Sequence, residues 1–291
     1  MPGAIATRLI EASGPWGFTT RRVYQLEQHE RLLWRSRHHR KRLPLRPPGS
    51  VFRVERELLR CLWMPRELNW WIGSVFALGS LLFLIGSWLS LNPALARHLS
   101  MNSAAVSGVF FLGSIPFTTA AYLQLFQAAN AGPPLAVGDA EPQRRRRLHW
   151  FGWAPREIGW LSCALQFPGT ILFNINTFDG LDAHLNWLGQ DGLVWIPNLL
   201  GSILFLASGY LAFLETCHAP WAWQPGSLSW WVTFLNLLGC FGFMGSALTA
   251  LVLPASPGPI FPSVSLLFTL LGALGFLIGS LLMLPETVLP S

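Results

Sequence analysis

Six stretches of this chain, 70–91, 104–126, 158–178, 193–215, 228–252 and 263–284, contain no Lys or Arg and no acid near their centres. Each has about the 20 residues that an α-helix needs to cross a bilayer core. Few soluble folds tolerate six such runs, because each would present an apolar surface all round. The composition agrees: 52% of residues are apolar, only 12% are charged, and mean hydropathy is +0.41. An average soluble chain carries about twice that charge. The runs therefore predict an all-α integral membrane protein. Residues 1–62 hold no apolar run beside a small-residue cleavage site, so no cleavable signal peptide is expected.

The basic residues predict which way the helices run. Nineteen of the twenty Lys and Arg lie in 1–68 or 144–156, and only Arg97 lies elsewhere. Basic segments resist translocation, so both belong in the cytosol. Six spans then return the C-terminus to the cytosol, in a cell-membrane protein with both termini inside. On this reading the net charge of +6 reflects orientation and implies no nucleic-acid partner. None of the four cysteines falls in an outward loop, so no structural disulfide is expected.

A repeated phrase organises the chain. WMPRELNW at 63–70 returns as WAPREIGW at 153–160 and, degraded, as WQPGSLSW at 223–230. Counted from Trp70, Trp160 and Trp230, position +9 is Gly79, Gly169 and Gly239, and position +13 is Phe83, Phe173 and Phe243. The span that follows repeats as LGSIPF, LGSILF and LGALGF, around Gly113, Gly201 and Gly272. The expected architecture is therefore three tandem two-helix repeats in pseudo-threefold arrangement. Their parts are a basic N-terminal region with an amphipathic helix (1–62), repeat 1 (63–126), an Arg-rich cytosolic loop (127–152), repeat 2 (153–215) and repeat 3 with a short tail (216–291). Within 19–62, two helical pieces are expected on either side of PLRPPG, the second being VFRVERELLRCL on the inner leaflet.

In the phrase, Pro65, Pro155 and Pro225 are expected at the first helical position, where no amide hydrogen is needed. Glu67 and Glu157 are expected in the first helical turn, against the positive end of the helix dipole. Trp63, Trp70, Trp153 and Trp160 are candidate interfacial anchors, with Arg66 and Arg156 facing anionic headgroups. The third copy lacks both charges, which weighs against a catalytic reading of Arg66, Glu67, Arg156 and Glu157.

Polar side chains inside the spans are the second candidate site. Position +6 is Phe76, Gln166 and Asn236, and the third span adds Asn174 and Asn176. These amides either hydrogen-bond between helices or line a cavity for a small polar or amphiphilic ligand. The seven His show no zinc spacing, and no nucleophile–base constellation falls on one side of the membrane, so no metal, cofactor or enzymatic activity is expected.

The paired GS…LFLIGS and LGSIPF helices resemble the small two-helix YrhK-like membrane domain. QFPGTILFNINTF, GSIPFTTAAYLQL and LLMLPE are similar to multi-pass membrane proteins of bacteria and fungi with no assigned activity. The resemblance implies paired transmembrane helices and brings no catalytic residues. The expected function is a non-enzymatic bundle that contacts lipid or a protein partner; the alternative is a small-solute or lipid transporter using the intramembrane amides.

Overall fold

The computed structural model describes residues 6–26, 30–43, 59–132, 148–182, 184–254, 259 and 261–289. Among these, six helices are long and apolar enough to cross a membrane: α2 (Leu68–Leu91), α4 (Ser103–Ala129), α5 (Ile158–Asp179), α6 (Trp187–Cys217), α7 (Leu228–Thr249) and α8 (Pro262–Glu286). They point to a multi-pass membrane protein. A short α3 (Pro93–His98) joins α2 to α4. The bounds follow the apolar runs closely, except that α6 opens with a wide π-helical turn at Gln190–Trp195, ahead of the expected start.

Each spanning helix packs against its chain neighbours, and α8 packs back on α2, closing a ring of six. Glycine sets how closely the helices pair. A Cβ at Gly79 would lie 2.9 Å from the Gly113 carbonyl oxygen, one at Gly201 3.1 Å from that of Gly169, and one at Gly239 3.0 Å from that of Gly272. Backbones meeting this closely have room only for small residues.

The space that the ring encloses is filled by phenylalanine. Phe83, Phe173 and Phe243 come from one helix of each neighbouring pair, and Phe117, Phe205 and Phe276 from the other. The second three form a closed triangle, with ring centroids 6.5, 5.7 and 5.8 Å apart. Phe83 and Phe173 each touch Phe243, at 5.8 and 5.6 Å. These tilted and edge-to-face geometries suit aromatic quadrupoles.

At the end of the bundle where α2, α5 and α7 begin, the phrase proves to be a turn. The amides of Glu67, Glu157 and Ser227 donate to the carbonyls of Met64, Ala154 and Gln224, at 3.0, 2.9 and 3.0 Å. Proline therefore occupies the second position of a β-turn, which favours its fixed φ, rather than the first helical position. Likewise Glu67 and Glu157 are N-caps with extended backbone, one residue ahead of the helix, and neither side chain caps it. The indoles lock the turn to the preceding segment: Trp70, Trp160 and Trp230 donate to the carbonyls of Cys61, Phe151 and Ala222 at 3.0, 3.0 and 2.9 Å.

The N-terminal region departs from the all-α expectation. A three-stranded antiparallel sheet is formed by β1 (Ala6–Ser13), β2 (Arg21–Leu26) and β3 (Arg31–Arg35), the last two lying in the piece expected to be helical, and the short helix α1 (Ser36–Lys41) follows. Period-two alternation places Tyr24, Leu26 and Trp34 on one face as a small core, with Arg22 over the Trp34 ring at 5.3 Å. The Arg-rich composition hid this pattern. Most of the second expected helix, residues 51–58, lies outside the described residues.

Candidate functional site

β3 delivers α1 into the mouth of the bundle at the end where the sheet sits. Ser36 donates its amide to the Thr20 carbonyl at 2.9 Å, and Arg42 ends the helix in the left-handed conformation. Positions i, i+3 and i+4 share a helix face, so Arg37, Arg40 and Lys41 point together. All three are buried. Two carboxylates meet them from the ends of spanning helices. Glu286, the last residue of α8, is 0% exposed and accepts from Arg37 Nε at 3.1 Å, Arg37 Nη2 at 2.8 Å and Lys41 Nζ at 2.8 Å. Glu215, near the end of α6, accepts from Arg40 Nη2 at 2.6 Å. Gly159, beside Trp160, leaves the room these groups occupy: a Cβ there would lie 2.5 Å from Glu215 Oε1 and would also strike Arg40 Nε.

Burial and pairing pull on these charges in opposite directions. Burial works against the Arg40 guanidinium, but Glu215 outweighs it, with Cys163 and Glu286 contributing, and the Arg40 pKa rises above its ordinary value. Lys41 comes out the other way. Burial, and then Arg37 beside it, bring its ammonium down to about 7 against the pull of Glu286. Close by, burial and then Arg35 bring both His38 and His218 down to about 4, so both are neutral at pH 7. His218 Nδ1 lies 2.9 Å from Thr20 Oγ1 and ties the end of α6 to the start of β2.

Between this charged plug and the phenylalanines lies a cavity of about 50 Å³, bordered by Arg37, Arg40, Lys41, Gln166, Asn236 and Phe276 among others. A single water needs roughly 10–15 Å³, so the space suits a few waters. Gln166 and Asn236 thus share a cavity, and Asn236 Oδ1 has no hydrogen-bond partner among the described residues. The other two expected amides lie elsewhere. Asn174 Nδ2 donates to Thr118 Oγ1 at 2.8 Å, between α4 and α5, and Asn176 is half-buried away from the cavity lining. The four amides therefore do not form one site, and the cavity is not free of charge as the spans alone imply.

The phrase residues lie apart from this centre. Trp70 and Trp160 are buried, and Trp63 and Trp153 stand exposed with their rings edge-on to them at 5.4 and 5.5 Å. Arg66, Glu67, Arg156 and Glu157 are exposed and form no ion pair among the described residues. All four cysteines are buried, and none is joined in a disulfide.

No family model, no curated protein and no solved structure matches this chain. Its chemistry must be read from its own side chains. What the arrangement does is hold an N-terminal segment inside the bundle by buried ion pairs. A sequence signal for this centre exists. Fourteen residues after Gly113, Gly201 and Gly272 stand Gln127, Glu215 and Glu286, at the far end of the second helix of each pair. Two acids and an amide at one register, facing a basic run elsewhere in the chain, mark the plug. That register passes unnoticed while the basic run at 35–42, RSRHHRKR, is read only as a topology signal and a lipid contact.

Proposed function

We propose that this chain is a non-enzymatic multi-pass protein of the cell membrane whose N-terminal segment closes the bundle at the cytosolic face. On this reading it comprises three tandem two-helix repeats around a pseudo-threefold axis, with both termini inside. Three features that each recur three times support the repeat: the glycine crossings, the phenylalanine pairs and the Trp-locked turns. The concentration of Lys and Arg at the end that holds the sheet supports the orientation. The exposed phrase residues suit contact with anionic headgroups or a protein partner.

The single observation that carries the closed-bundle reading is that its axis is filled, by the phenylalanine triangle at one level and by paired Arg37, Arg40 and Lys41 at the next. The test is solute flux in proteoliposomes: wild-type protein is expected to pass no small polar solute above protein-free vesicles. Transport is the second reading, favoured by the small cavity that Gln166 and Asn236 share beneath α1. Flux that Gln166→Leu and Asn236→Leu both abolish would establish it and overturn the closed bundle.

A further inference from the structure

A second, larger cleft lies beside α1. It encloses about 600 Å³ between the start of β2, the end of β3, α1, the end of α6 and the turn that begins α7. Its charged and titratable wall groups are Arg21, Arg35, Arg37, His38, Glu215, Cys217 and His218. Three guanidiniums thus face one carboxylate, and that carboxylate is already held by Arg40. Arg37 is likewise held by Glu286. Arg21 and Arg35 remain, and neither forms an ion pair among the described residues. They are also direct cross-strand partners in the β2–β3 register. Like charges placed opposite each other destabilise a sheet, and here half-burial of Arg35 adds to the repulsion and lowers its pKa. Such a pair is relieved by an anion seated between the two.

The rest of the wall suits an anion too. Ser227 caps α7, and with Gly226 and Ser229 it brings the positive end of a 22-residue helix to the cleft. Guanidiniums bind phosphate through paired, parallel N–H donors, with more geometric specificity than an ammonium provides.

We propose that this cleft is a phosphate-binding site, in which Arg21 and Arg35 grip the phosphate group of a lipid headgroup or of a small soluble phosphate. The lipid arm rests on the placement of this end at the cytosolic face; the soluble arm does not.

The experiment uses the full chain in neutral detergent, titrated with inorganic phosphate by calorimetry, and in nanodiscs of phosphatidic acid or phosphatidylcholine, with retained lipid measured by native mass spectrometry. Wild-type protein is expected to bind at least one of the two phosphate probes, and Arg35→Gln to weaken that binding tenfold or more. Arg21→Glu is the second variant. It replaces the like-charge pair by an opposite-charge one, so the sheet holds or gains thermal stability while phosphate binding is lost. Binding of inorganic phosphate alone assigns a soluble ligand, and retention of phosphatidic acid over phosphatidylcholine assigns a lipid. No binding of either probe, or equal binding by wild type and both variants, overturns the site. None of these outcomes depends on solute flux, so this site and the closed-bundle reading fail separately.

Discussion

Glu286→Gln is the most direct test of the buried plug. The substitution preserves shape almost completely, so packing changes little, yet it removes the one negative charge shared by Arg37 and Lys41. Glu286 is fully buried and lies 2.8 Å from each cation, so solvent screens little of the loss. Lys41 escapes part of the penalty by releasing its proton, since its pKa already sits at about 7. Arg37 is left buried with its charge uncompensated. Removing one partner of a buried pair costs about 3–5 kcal/mol. At 1.4 kcal/mol per tenfold, that is roughly a 150- to 4,000-fold increase in the open population of α1. Hydrogen exchange reads it at the amides of Arg42 and Leu43, which donate to the carbonyls of His39 and His38. A companion variant, Arg37→Leu with Lys41→Leu and Glu286→Leu, removes every charge of the triad. It is expected to cost far less than the single change, because apolar groups of similar volume often replace a buried ion cluster without loss. A charge-held plug is refuted if Glu286→Gln costs under about 1 kcal/mol, the range of screened surface pairs. It is equally refuted if the triple variant costs as much as the single one, since shape rather than charge would then hold α1.

Three further outcomes are expected. Phe117→Ala removes a ring that touches Phe76, Phe83, Phe205, Phe243 and Phe276, and should lower stability by about 3–5 kcal/mol, measured by thermal unfolding in detergent. Gly272→Val pushes a side chain at the Gly239 carbonyl, 3.1 Å from where its Cβ would sit, and should cost at least about 1–3 kcal/mol, read as loss of monodisperse protein on heating. The pH dependence follows from three depressed pKa values. His38 and His218 take up protons near 6.5 when unfolded but only near 4 when folded, so stability falls as pH drops through that window. Lys41 binds a proton more readily unfolded, at 10.5, than folded, at about 7, so stability rises with pH between those values. His38 faces Arg35, Arg37, Glu286 and His218; His218 faces Arg35, Glu215 and Arg21; and Lys41 faces Arg37, Glu286 and Arg40. Unfolding midpoints from pH 4.5 to 9 should therefore climb, and Lys41→Met should flatten the upper part of the curve.

The six spanning helices were legible in the sequence because a membrane imposes a local rule. Each helix must satisfy its own backbone and show apolar side chains to lipid, so runs such as 70–91 and 263–284 declare themselves residue by residue. The recurring Gly and Phe registers were legible for a related reason. Close helix crossings at Gly79, Gly169 and Gly239 accept little besides glycine, and the same geometry met three times writes the same letter three times. What stayed hidden depends on partners far apart in the chain. Arg37 and Glu286 are 249 positions apart, and nothing local to either one reports the other. The short strands of β2 and β3 were masked by arginines that read as a topology signal. Gln166 and Asn236 shared a depth on paper, but only helix rotation decided that they border one cavity while Asn174 turns to Thr118. The chain alone therefore determined six spans and their periodic contacts, because those follow from each segment's own apolar pattern. Tertiary structure alone decided that RSRHHRKR enters the bundle rather than lying outside it, because a buried charge is stable only where an opposite charge is already waiting.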